Sequence, residues 1–203
     1  MTAAVLIATA SVLGLLSFFE PCTIATHTLF SARAHARPWP ACCRELFVLW
    51  VTRNLLVTGL LAVAVLLIPP VKWGEVLPSV ILAVMASVYI VSRFAYVPVP
   101  HLEFHRLVPG GLRLPAAVRL GLTLPACTLP LFVIVLGMAI TLDSYALALA
   151  GGLLFANLFT LPTVVVAVTG LSVGGQHFLK ASALVTSYLT AGLLCAAAVY
   201  LLL

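Results

Sequence analysis

Two cysteines stand beside prolines deep inside long apolar stretches of this sequence. One lies in Ser17-Phe18-Phe19-Glu20-Pro21-Cys22, the other in Pro125-Ala126-Cys127-Thr128-Leu129-Pro130. A proline within a helix removes one backbone hydrogen bond and clashes with the preceding turn, at a cost of about 3 kcal/mol. In hydrocarbon the freed backbone groups must find partners in protein or in a water-filled cavity. A thiol at such a break can be reached by water or by a partner protein, unlike a cysteine that packs in a core as a small hydrophobe. Two thiols whose Cα atoms come within about 7 Å can form a disulfide. Such a pair could cycle between dithiol and disulfide by exchange with other thiols, moving two electrons without a metal, a quinone or any other cofactor. Glu20 is an ionisable group in an apolar stretch; it could pass a proton to or from Cys22, or pair with Arg53. Cys42-Cys43, beside Arg44, is a second thiol pair. A nearby cation raises the thiolate fraction, and two thiolates suit a soft metal.

The elements that must position these residues follow from composition. Of 203 residues, 64% are apolar and 7% are charged, with a mean hydropathy of +1.25. A soluble domain carries about 25% charged residues, so a water-soluble globular enzyme is excluded. A disordered chain, which needs low hydrophobicity and high charge, is excluded as well. The pattern predicts an all-α membrane protein forming one polytopic domain over residues 1–203, with six helices at about 2–31, 46–68, 77–97, 115–141, 145–171 and 181–203. The first is interrupted at Pro21. The net charge of +5 reflects basic loops rather than a nucleic-acid surface, since no run of basic residues occurs. Arg33, Arg37 and Arg44 follow the first helix; Arg93, Arg106, Arg113 and Arg119 follow the third; Lys180 follows the fifth. The opposite side has only Lys72. This asymmetry predicts three basic cytoplasmic loops and both termini outside an inner (cytoplasmic) membrane. The N-terminal stretch lacks the basic start and the cleavage site of a signal peptide, so it is read as the first span.

The two cysteine motifs also suggest a duplication. Cys22-Thr23-Ile24 and Cys127-Thr128-Leu129 are 105 positions apart. Asn54-Leu55, with Thr58 further on, matches Asn157-Leu158, with Thr160 further on, at nearly the same offset. Two three-helix halves, about 1–100 and 101–203, would enter the membrane from opposite sides and form an inverted repeat. Such repeats place their functional site near the midplane, on interrupted helices. If the cavity opened to each side in turn, the pair could be reduced on one face and oxidised on the other.

On these residues the sequence resembles the CcdA family and the transmembrane part of DsbD, over essentially the whole chain. The resemblance implies that Cys22 and Cys127 are the redox pair, shaped by Pro21, Pro125 and Pro130. It also implies that they carry reducing equivalents from cytoplasmic thioredoxin to thioredoxin-like proteins outside, in cytochrome c maturation or disulfide reduction. The sequence departs from the family pattern in two places. Ala25 stands where a second proline usually follows the first cysteine, and Ala126 separates Pro125 from Cys127.

The other polar residues have plainer readings. His27 could share a face with Glu20, though an interface role is favoured. Asn54, Asn157, Thr23 and Thr128 are expected to hydrogen-bond between helices, and Cys195 to pack. Cys42 and Cys43 are placed in the first cytoplasmic loop, as accessory thiols or inert interfacial ones. The competing function is soft-metal transport, of mercury or copper, through Cys42, Cys43, Cys22 and His27.

Overall fold

The computed structural model describes residues 3–67, 84, 87, 91, 102–107, 113–141 and 144–200. Nearly all of the expected third span, together with Lys72, Trp73, Arg93, Tyr96 and Asp143, lies outside the described residues. Among the described residues there are seven α-helices: α1 Ala3–Phe18, α2 Pro21–His35, α3 Trp39–Leu67, α4 Ala116–Gly121, α5 Leu129–Thr141, α6 Tyr145–Thr169 and α7 Val173–Tyr200. Two short strands, β1 Leu102–Glu103 and β2 Thr123–Leu124, pair antiparallel, with Leu102 opposite Leu124 and Glu103 opposite Thr123. Single 3-10 turns cover Phe104–Leu107 and Ala126–Thr128.

With 29 and 25 residues, α3 and α6 are long and apolar enough to cross a bilayer, which takes about 20 residues. The pair α1 and α2, bent by 71°, makes a third candidate. Exposure follows the same logic. Glu20, His27 and Arg53 are fully buried, while Leu55, Leu66 and Leu67 are about 70% exposed. A surface of large apolar side chains around buried ionisable groups reverses the water-soluble pattern and fits lipid.

The helix α6 lies at the centre and packs on α1, α2 and α3. Close approach to α3 is set by Gly152, where a Cβ would fall 2.9 Å from the Thr58 Cα. The main core gathers Leu6, Leu13 and Phe18 of α1, Val57 and Leu61 of α3, Leu131 and Val135 of α5, and Phe155 and Phe159 of α6. A smaller cluster joins Phe30 and Ala34 of α2 to Cys42, Leu46 and Leu49 of α3, Ala117 of α4 and Ala167 of α6.

Three expected boundaries are corrected. The helix placed at 46–68 begins at Trp39, because Pro40 sits in its first turn, where a missing N–H costs nothing and the fixed φ suits a helix. Cys42 and Cys43 are therefore helical residues, and the connection after α2 is only residues 36–38. The span placed at 115–141 is not one helix. After α4 the chain becomes extended, pairs with β1, makes a 3-10 turn and enters α5, since Pro125 and Pro130 deprive a continuous helix of two amide donors. The last helix starts at Val173, eight residues earlier than expected. By contrast, the interruption at Pro21 and the start of α6 at Tyr145 agree with the sequence reading.

Candidate functional site

Each proline-linked cysteine lies at the start of a helix. After α1 the chain turns at Phe19 and Glu20. Glu20 occupies the cap position of α2 with extended backbone (φ −68°, ψ 138°), and Pro21 takes the first helical position. This leaves Cys22 in the first turn. In the second motif Pro125, also extended, precedes the 3-10 turn that contains Cys127. The Thr128 amide and hydroxyl both donate to the Pro125 carbonyl, at 3.0 and 2.8 Å. The turn packs against α2, and the sulfurs of Cys22 and Cys127 are joined in a disulfide with a Cα–Cα distance of 6.8 Å. Both cysteines are half-buried, flanked by buried Thr23 and Thr128.

Glu20 is buried beside this bond in sequence. Its Oε1 accepts a hydrogen bond from the Thr190 hydroxyl of α7 at 2.7 Å, and its Oε2 has no hydrogen-bond partner among the described residues. The pairing of Glu20 with Arg53 considered from sequence is not formed. Arg53 instead donates from Nη2 to the Leu120 carbonyl at 2.7 Å.

Along α2 a polar face continues from the cysteine. His27 Nδ1 lies 2.6 Å from the Thr163 hydroxyl. The Ser31 hydroxyl donates to the Thr163 carbonyl at 2.9 Å, and His35 Nδ1 donates to the Ala167 carbonyl at 2.9 Å. This face ties α2 to α6. Sequence reasoning left His27 as an interface residue and did not see the seam as a whole. The signal was present: Thr23, His27, Ser31 and His35 recur every four residues, one stripe of a helix.

Several expected interhelical hydrogen bonds are local. Thr128 bonds within its own turn, and the Asn54 amide donates to Trp50 of its own helix. Thr23 Oγ1 has no hydrogen-bond partner among the described residues. Asn157 does act between helices, accepting from the Trp50 indole of α3.

The residues of the metal alternative do not converge. Cys42 is packed in the smaller apolar cluster, Cys43 is exposed, and Cys22 is bonded to Cys127. Among the described residues no group of three or more His, Cys, Asp or Glu side chains comes together. Cys195 is exposed on α7 rather than packed.

No family model, no curated protein and no solved structure matches this chain.

Proposed function

We propose that this protein carries reducing equivalents across the inner membrane by thiol–disulfide exchange at Cys22 and Cys127. Its six spans would form two inverted three-helix halves. The donor would be cytoplasmic thioredoxin and the acceptor a thioredoxin-like protein outside, in cytochrome c maturation or disulfide reduction. The observation that carries this reading is the Cys22–Cys127 bond, made between two proline-linked helix starts that are 105 residues apart in the chain. The matching order of a helix, a break, a cysteine and two further helices in each half favours the repeat: α1, Cys22, α2 and the helix after it, against α4, Cys127, α5 and α6.

The chemistry balances without a cofactor. A donor thiolate attacks one sulfur of the disulfide, forming a mixed disulfide and releasing the other sulfur as a thiolate. The second donor thiol then attacks the mixed disulfide, and the donor leaves oxidised. Cys22 and Cys127 have gained two electrons and, as thiols, two protons. Run in reverse against an external disulfide, the same steps pass both on. The first turn of a helix favours an anionic sulfur through its unpaired amide groups. Glu20, two positions from Cys22 with one carboxyl oxygen unpartnered, is the group this reading assigns to proton exchange with the thiol.

The test is trapping. In membranes containing only Cys22 or only Cys127, a thioredoxin lacking its resolving cysteine should be captured as a mixed disulfide. Cys22→Ser and Cys127→Ser should each reduce transfer to an external acceptor to background. Transfer that survives either substitution contradicts the proposal.

A further inference from the structure

Arg53 is a buried charge that the exchange chemistry leaves unused. It lies midway along α3 with no exposed surface. Among the described residues it forms no ion pair, and its Nε and Nη1 have no hydrogen-bond partner. Burying a guanidinium in a membrane helix is costly and marks a functional residue by default. What it does touch comes from three other helices. Nη2 donates to the carbonyl of Leu120 in α4 at 2.7 Å and lies 3.4 Å from His27 Nε2 in α2. The guanidinium carbon stands 4.2 Å from the centre of the Phe159 ring in α6. Arginine can only donate. His27 Nε2 therefore accepts, which leaves the hydrogen on Nδ1 to be donated to the Thr163 hydroxyl. At Gly121 a Cβ would lie 3.3 Å from the Arg53 backbone nitrogen, so the end of α4 is pressed directly onto α3 here.

These contacts lead to both sulfurs. His27 is five positions beyond Cys22 on the same helix, and Leu120 is seven positions before Cys127. We propose that Arg53 is the positioning residue that sets how closely the two cysteine-bearing turns approach, by holding α2 through His27 and the end of α4 through Leu120. The inference rests on the exchange reading above. One nitrogen, Nη2, reaches both partners, using its two hydrogens. Without it, nothing polar among the described contacts joins α2 to the end of α4, and the effective concentration of one thiol at the other falls.

The full chain, with Cys42, Cys43 and Cys195 replaced by Ser, would be equilibrated in nanodiscs with mixtures of reduced and oxidised glutathione. Alkylation then gives the fraction of Cys22–Cys127 disulfide, while circular dichroism and size exclusion report folding. Folded Arg53→Met should shift the equilibrium toward dithiol by about ten-fold or more, the change that about 1.4 kcal/mol brings. Arg53→Lys should recover part of the loss. His27→Leu should move the same way as Arg53→Met but less, and His27→Gln, which keeps an acceptor, should stay near wild type. A wild-type equilibrium in folded Arg53→Met overturns the proposal. Should Arg53→Met not fold, His27→Leu decides: a shift supports the proposal, and a wild-type equilibrium overturns it. A wild-type chain that never joins residues 22 and 127 in any buffer sinks the exchange reading itself, a result distinct from normal pairing that is indifferent to Arg53.

Discussion

The break before Cys22 takes two residues, Phe19 and Glu20, whereas the break around Cys127 takes seven, from Leu122 to Thr128, with the cysteine inside it. In the first arm the chain leaves one helix and enters the next at 71°, with Pro21 opening the new helix. At the bend itself the polar support from elsewhere in the fold is the Thr190 bond to Glu20. In the second arm the backbone is pinned from outside, where β2 pairs with β1 and the Phe104 amide donates to the Leu122 carbonyl at 3.1 Å, and from within, where Thr128 closes its own turn. The same outcome, a cysteine at a helix start, is reached by a sharp bend that depends on one proline and by an extended segment that several hydrogen bonds hold. Proline therefore carries unequal weight in the two arms.

The largest effect is expected at the prolines. Pro21→Ala returns an amide donor and lets α1 run on into α2, so disulfide formation should slow about ten-fold or more. Pro125→Ala leaves the strand pairing and the Thr128 bonds in place, and should slow it about three-fold at most. Stopped exchange with alkylation measures both, and equal effects would show that the two prolines carry the same weight.

Next comes Glu20→Gln, which keeps an oxygen for Thr190 but removes the ionisable group. The rate of thiol exchange should lose part of its pH dependence, while the equivalent side in the second arm has no acid to lose. An unchanged pH profile in a folded variant removes Glu20 from the mechanism.

The smallest effects are expected at the vicinal pair. Cys43→Ser, at an exposed site, should change exchange by less than about two-fold. Cys42→Ser should do the same but reduce stability by about 1–2 kcal/mol in a denaturant titration, because it places a hydroxyl in an apolar cluster. A large loss of transfer from either would give the second thiol pair a part in the chemistry.

Much of the first arm was legible in the sequence because its determinants are local. Pro21 and the apolar run around it predict an interrupted helix. The second arm was less legible because it depends on a partner distant in sequence. Nothing around Thr123 and Leu124 announces that Leu102 and Glu103 will pair with them, and hydrophobic content alone reads 115–141 as one helix. Cys42 and Cys43 were misplaced for a different reason. Pro38 and Pro40 resemble loop punctuation, yet Pro40 at the start of a helix favours it. The surroundings of Arg53 were hidden because its partners are the carbonyl of Leu120, a ring nitrogen of His27 and the Phe159 ring on α6, none of which a charge pattern reveals.

The most direct test of the central claim is to trap thiols in native membranes, with and without reductant, and map the bonds by mass spectrometry. A peptide linking Cys22 to Cys127 should be found in oxidised membranes and disappear when reduced thioredoxin is supplied on the cytoplasmic side. Two sulfurs that stay unlinked under every oxidising condition, or a link that thioredoxin never opens, would contradict it.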